Sequence, residues 1–248
     1  MDSIWTVLGL ALLPALGNFM GGMLAELFVT NQRRLSNALH AAAGIVIAIV
    51  SVELMPEALE KISAWQVAVA FGLGGLTYIA IDSIVGKLQG ASEQDASGKR
   101  GMWMIYIAVS MDLFSDGLMI GAGSAVSFTM ALTLALGQVL ADVPEGYATI
   151  ANMKAKGVPR GRRIFLSASF AIPVLAASVL AYFLLRENNE VWQMGALSFT
   201  AGLLTLAAVE DMISEAHETV EDTRASLMSF TAGFIIFTLV SAGMEVGS

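Results

Sequence analysis

Apolar residues fill this chain in runs of about 20, separated by short polar stretches. A run of that length as a helix crosses a bilayer, so the pattern predicts membrane-spanning helices. Eight spans are expected, at residues 5–30, 37–58, 65–86, 102–123, 127–153, 163–186, 192–216 and 225–245. A β-barrel would show alternating segments of about 10 residues, and none occur. The longest polar connection, GKLQGASEQDASGKR, is too short and polar to fold by itself. The expected fold class is therefore an all-α membrane protein, a single transmembrane domain over residues 1–248.

Composition strengthens that picture. Of the 248 residues 56% are hydrophobic and only 14% are charged, where a soluble domain carries roughly a quarter. Mean hydropathy is +0.71. There is no cysteine, which excludes a disulfide framework and any thiolate metal site. The opening MDSIWTVLGL places Asp2 where a cleavable signal would carry positive charge, so the first helix is expected to be retained.

Charge adds an orientation. Of the 13 Lys and Arg residues, 11 fall after the first, third, fifth and seventh spans: Arg33, Arg34, Lys87, Lys99, Arg100, Lys154, Lys156, Arg160, Arg162, Arg163 and Arg224. Only Lys61 and Arg186 fall on the other side. The basic side is expected to be cytoplasmic, with both termini outside the cytoplasm, most simply in the cell (inner) membrane. The net charge of −8 arises largely outside the spans and suggests no partner, nucleic acid included.

A weak repeat follows. The second span ends VELMPEALE, from Val52 to Glu60, and the seventh ends VEDMISEAHE, from Val209 to Glu218. With eight alternating spans these segments run in opposite directions, which is the pattern of an inverted repeat as in secondary transporters.

The unusual chemistry lies in the fourth and fifth spans. SMDLFSDGLMIG places Asp112 and Asp116 one turn apart on one helix face, and Met119 continues that face. LADVPEGYATI places Asp142 and Glu145 on one face of the next helix. A charge at mid-membrane costs about 2.5–3.5 kcal/mol on insertion scales. No Lys or Arg lies in either stretch to offset it. A bound cation or protons would relieve both burial and mutual repulsion. Gly117 and Gly146 each follow an acid and permit close helix approach. Pro144 removes an N–H and frees the Leu140 carbonyl, which predicts a kinked helix beside the acids.

DLFSDGLMIGAG and DVPEGYATI together resemble the paired fourth- and fifth-helix motifs of the ZIP (Zrt/Irt-like) divalent metal transporters. The second-span HAAAGIVIAIVSVELMPEA and seventh-span FTAGLLTLAAVEDMISEA are also similar to that family's, so the resemblance covers nearly the whole chain. It implies a ZIP-like bundle and a two-metal site. The family's fourth-helix His falls on Asp112 and its acid on Asp116; the fifth-helix acids fall on Asp142 and Glu145. Three positions depart from the pattern. Leu113 stands for an Asn, Ala141 for a Gln or His, and Ile172, before Pro173, for a Glu. The loss of imidazole and of second-metal ligands leads us to expect one central metal per protomer, with less preference for zinc over iron or manganese.

The resemblance further implies a metal site near the inner exit, for which Glu215, His217 and Glu218 are candidates. An interfacial histidine such as His40 or His217 is ordinarily solvated. The loop after the third span lacks a His-rich run, so no cytoplasmic metal sensing is expected there. HETVE is not the H-E-x-x-H of a zinc protease, and no Ser/His pattern is present, so no enzyme is expected. The expected function is import of a divalent cation, zinc or else iron or manganese, by an elevator-like carrier. The first, fourth, fifth and sixth helices would move and the rest form a scaffold, in a homodimer embedded in the lipid bilayer. A proton- or cation-conducting channel, or a metal sensor without transport, would use the same carboxylates.

Overall fold

The computed structural model describes residues 3–28, 31–90, 99–217 and 224–247. Within them the chain forms eight helical stretches and no strand. They are α1 (Ile4–Leu27), α2 (Gln32–Lys61), α3 (Ala64–Gly90), α4 (Lys99–Val126), α5 (Phe128–Ala155), α6 (Arg160–Leu185), α7 (Glu190–His217) and α8 (Arg224–Gly247). Polar caps fix several starts. Asn31 Oδ1 accepts from the Arg33 and Arg34 amides at 3.1 and 3.3 Å. Ser127 and Asn189 cap α5 and α7 in the same manner. Each satisfies an amide that the first helical turn leaves without a partner.

Seven of these helices are long and apolar enough to cross a membrane, so the protein is an all-α integral membrane protein. The sequence-based expectation was eight spans, and α5 is the one outside this set. It is 28 residues long. Its apolarity is lowered by Gln138, Asp142, Pro144 and Glu145, the residues that make it chemically interesting.

Helices pair through glycine. Gly17 and Gly21 of α1 lie against the α5 backbone, and Gly146 of α5 lies against Asn18 of α1. Gly117 and Gly121 of α4 lie against the carbonyls of Val174 and Ser178 in α6. Gly44 of α2 and Gly233 of α8 face each other's helices reciprocally, as do Gly74 of α3 and Gly202 of α7. A Cβ at these positions would run into neighbouring backbone, so only glycine permits this spacing. The outcome is four close pairs: α1 with α5, α4 with α6, α2 with α8 and α3 with α7.

The main core lies where α2, α4, α5 and α7 meet, around Ile49, Leu113, Leu134 and Met194, with Phe237 of α8 reaching in. Helices α3 and α8 lie at the periphery and expose Leu73, Leu76, Ile235 and Leu239, the surface expected against hydrocarbon. Two helices contain a π segment, Ile49–Leu54 in α2 and Ala208–Ile213 in α7. These fall on the two stretches singled out as a repeat. At the basic end, Arg163 of α6 forks onto Glu26 of α1, with Nε and Nη2 at 2.5 and 2.9 Å from its two oxygens.

Candidate metal centre

The four acids singled out in the sequence come from two neighbouring helices. Asp112 and Asp116 project from α4, and Asp142 and Glu145 from α5. One oxygen each from Asp112, Asp116 and Asp142 lie within 4.8 Å of one another. Two oxygens bound to one ion are separated by at most twice a metal–oxygen distance, about 4.0–5.2 Å from magnesium to calcium. The three carboxylates are therefore near the spacing at which they share one cation, and small side-chain shifts complete it. Glu145 is outside that trio. It lies beside Asp112, the two carboxyls within hydrogen-bonding reach of each other.

Close packing brings the acids together. Gly146 brings α5 onto the backbone of α1 at Asn18, and Gly117 brings α4 onto α6 at Val174. Asp116 and Asp142 are both 0% exposed. Neither forms an ion pair with Lys or Arg among the described residues. Unpaired like charges at this spacing repel strongly in a low-dielectric interior.

Two amide side chains, not singled out in the sequence, complete the setting. Gln138 lies one turn before Asp142, and its Nε2 donates to Asp116 Oδ1. Asn18 of α1 is fully buried next to Gly17, which itself abuts Asp142. Many polar atoms here have no hydrogen-bond partner among the described residues. They are Asn18 Oδ1 and Nδ2, Asp116 Oδ2, Gln138 Oε1, both oxygens of Asp142 and Glu145 Oε2. An unsatisfied buried polar atom costs about 1–3 kcal/mol, and native interiors contain few of them. Such a concentration fits a site built to hold a cation. The donor set is oxygen alone, which suits harder cations than an imidazole or thiolate set would.

Asp112 and Glu145 open onto a cavity. A chamber of about 290 Å³ is lined by Asp112, Glu145, Asn152, Glu210, Asp211 and Glu215 among others, and by no Lys or Arg. Asn152 Nδ2 donates to Glu215 Oε1 at 2.7 Å. A side pocket of about 60 Å³ joins Asp112 to Tyr78, Asp82 and Asp211, and Tyr78 hydrogen-bonds Asp211. A separate polar pocket of about 170 Å³ holds Glu53, Glu57, Ser127, Thr129, Thr133 and Ser241. Apolar packing lies between it and the carboxylates: Gly137 is hemmed in by Ile49 and Phe237, and Leu134 is fully buried.

Other expected residues fall as follows. Glu215 lines the chamber. His217 is exposed, and its ring lies 5.2 Å from that of His40. Glu218 lies outside the described residues. His40 is not solvated as an interfacial histidine ordinarily is: it is 3% exposed, and its Nδ1 donates to the Ser36 carbonyl at 2.8 Å. Leu113 is buried in the core, while Ile172 is exposed on the outer surface of the bundle, so the two replaced ligand positions do not share one setting. Pro144 stays inside a continuous helix and lines an apolar groove with Leu140, away from the acids. The chain matches no protein-family model and no curated protein.

Proposed function

We propose that this protein is a membrane carrier for divalent metal cations, of the ZIP-like type that its paired motifs resemble. The observation that carries the reading is the trio of half-buried Asp112 and fully buried Asp116 and Asp142, with oxygens within 4.8 Å of one another and Asp112 opening onto an acid-lined chamber. The cation is cargo. Asp116 and Asp142 would hold it at the closed end, Asp112 would hand it to Glu145 and the chamber, and Glu215 with His217 would receive it at the exit. Zinc is the family's common cargo, with iron and manganese favoured more by an all-oxygen site.

In this reading α5 is the eighth crossing. Its 28 residues extend about 42 Å as a helix, more than the ~30 Å hydrocarbon thickness, and its polar residues turn inward. Both termini then lie on the non-cytoplasmic side of the cell membrane. The pairing pattern supports an inverted repeat. Exchanging α1 with α6, α2 with α7, α3 with α8 and α4 with α5 turns the pair α1–α5 into α6–α4. The same exchange turns α2–α8 into α7–α3. The two π segments exchange as well. A moving bundle of α1, α4, α5 and α6 against a scaffold of the other four, in a homodimer, accords with those pairs. The apolar closure between the carboxylates and the Glu53–Glu57 pocket favours a carrier over an open pore.

The test is uptake into proteoliposomes of zinc, iron, manganese and magnesium, with Asp116→Ala and Glu145→Ala at equal membrane abundance. Saturable uptake that each substitution abolishes is expected. Near-normal uptake in both variants would sink the metal site. Flux that does not saturate would mark a channel, and binding without flux a sensor.

A further inference from the structure

An apolar groove of about 680 Å³ runs along the surface between α1, α2 and α5. It plays no part in the reading above. Its walls are Leu24, Phe28, Ala38, Val143 and Pro144, with Tyr147 beside them. Leu24 and Phe28 are 40% and 61% exposed, so the groove is open along its length. Alanines at 38, 41 and 42 keep the α2 wall low. This volume lies within the range of small-molecule sites, about 300–1,000 Å³, which are likewise mostly apolar with few polar groups.

One end of the groove is different. Asn31 and Arg34 line it there, at the start of α2. Arg33 and Arg34 are exposed, and neither forms an ion pair among the described residues. The nearest acid on α1, Glu26, is occupied by Arg163 and Arg160. The α2 N-terminus adds the positive end of its helix dipole. The groove thus joins a long apolar trough to an uncommitted cationic head, at the end of the bundle where 11 of 13 basic residues lie. Basic pockets between transmembrane helices hold anionic headgroups in this manner.

We infer that the α1–α2–α5 groove binds an anionic membrane phospholipid, an acyl chain lying along Leu24, Ala38 and Pro144 and the phosphate at Arg34 and Arg33. Charge complementarity selects an anionic lipid over a zwitterionic one. The groove has α1 and α5 on one side and α2 on the other, so the lipid bridges one glycine-paired helix couple to another.

The test uses the full chain in vesicles of phosphatidylcholine mixed with phosphatidylglycerol. Native mass spectrometry of protein released from them reads the ratio of the two lipid adducts. The intact protein is expected to retain phosphatidylglycerol preferentially. One arginine near an anionic headgroup corresponds to about a fivefold preference. Arg34→Gln should lower the preference by that factor, while Arg162→Gln, an exposed basic residue elsewhere at the same end, should not. Ala38→Phe should fill the trough and reduce both adducts. Arg34 is exposed, so its replacement leaves the fold intact, and a melting curve checks this. Equal retention of the two lipids by the intact protein would overturn the inference. So would an equal loss of preference in Arg34→Gln and Arg162→Gln, which would reduce the effect to diffuse surface charge. Metal uptake plays no part in this readout, so the metal reading and the lipid site stand or fall separately.

Discussion

Replacing Gln138 with methionine removes one hydrogen bond and almost no volume. The lost bond is the one from Gln138 Nε2 to Asp116 Oδ1. Asp116 is fully buried, and its other oxygen has no partner among the described residues, so Gln138 is the group that fixes the carboxylate's rotation. A hydrogen bond to a charged group contributes about 1.5–3 kcal/mol, equivalent to roughly 10–150-fold in an equilibrium constant. Outer groups that orient metal ligands typically contribute about 10–100-fold in affinity. Gln138→Met should therefore raise KM for metal uptake by about 10–100-fold. The metal-free protein should also melt lower, because Asp116 loses its one side-chain donor among the described residues. Uptake in proteoliposomes gives KM, and titration calorimetry on the solubilised protein gives affinity directly. An affinity within twofold of the unaltered protein, with melting unchanged, would refute the assignment of Gln138 as the positioning residue.

Three further outcomes are expected. Asp112→His should move the competition order in uptake toward zinc, since imidazole suits zinc where carboxylate suits harder ions; an unchanged order would argue against Asp112 as a ligand. Gly146→Leu should lower thermal stability by about 1–3 kcal/mol through overpacking, because its side chain would run into the α1 backbone at Asn18; stability equal to the unaltered protein in a melting curve would contradict the close α1–α5 contact. Native mass measurement at moderate metal concentration should find one central ion per protomer, since three oxygens are spaced for a single ion; two well-occupied central positions would refute that count.

The periodic features of this protein were legible from its residues. The apolar runs located the helices, and the spacing of Asp112 with Asp116 and of Asp142 with Glu145 placed each pair on one face. Non-local features were not legible. Gln138 and Asp116 are 22 residues apart, and only the packing of α4 on α5 brings them together. Asn18 reads in sequence as one polar residue in an apolar helix; its meaning depends on Gly17 packing on Val139 and Gly146 packing on Asn18 across α1 and α5. Asp82 and Asp211 look like acids at helix ends until α3 and α7 pair and bring them to one pocket with Asp112. Pro144 reads in sequence as a kink, and α5 runs through it as one helix, since proline is tolerated where neighbouring helices supply support. The position of Ile172 depends on how α6 rotates against α4, which Gly117 and Gly121 determine from the other helix.

The π segments of α2 and α7 have a geometric consequence for the polar pockets. An α-helix turns each residue by about 100°, and a π segment admits one extra residue into a turn without ending the helix. Every side chain beyond it is therefore rotated by about one residue step relative to an uninterrupted helix. In α2 that rotation governs Glu57, which faces the pocket holding Ser127 and Thr133. In α7 it governs Glu215, which faces Asn152 across the chamber. Each helix can keep an apolar face toward its neighbours through most of its length and then present an acid at its end. Heading and facing are thereby set independently, and removing a single residue from either segment would leave the helix on course while turning its acid away.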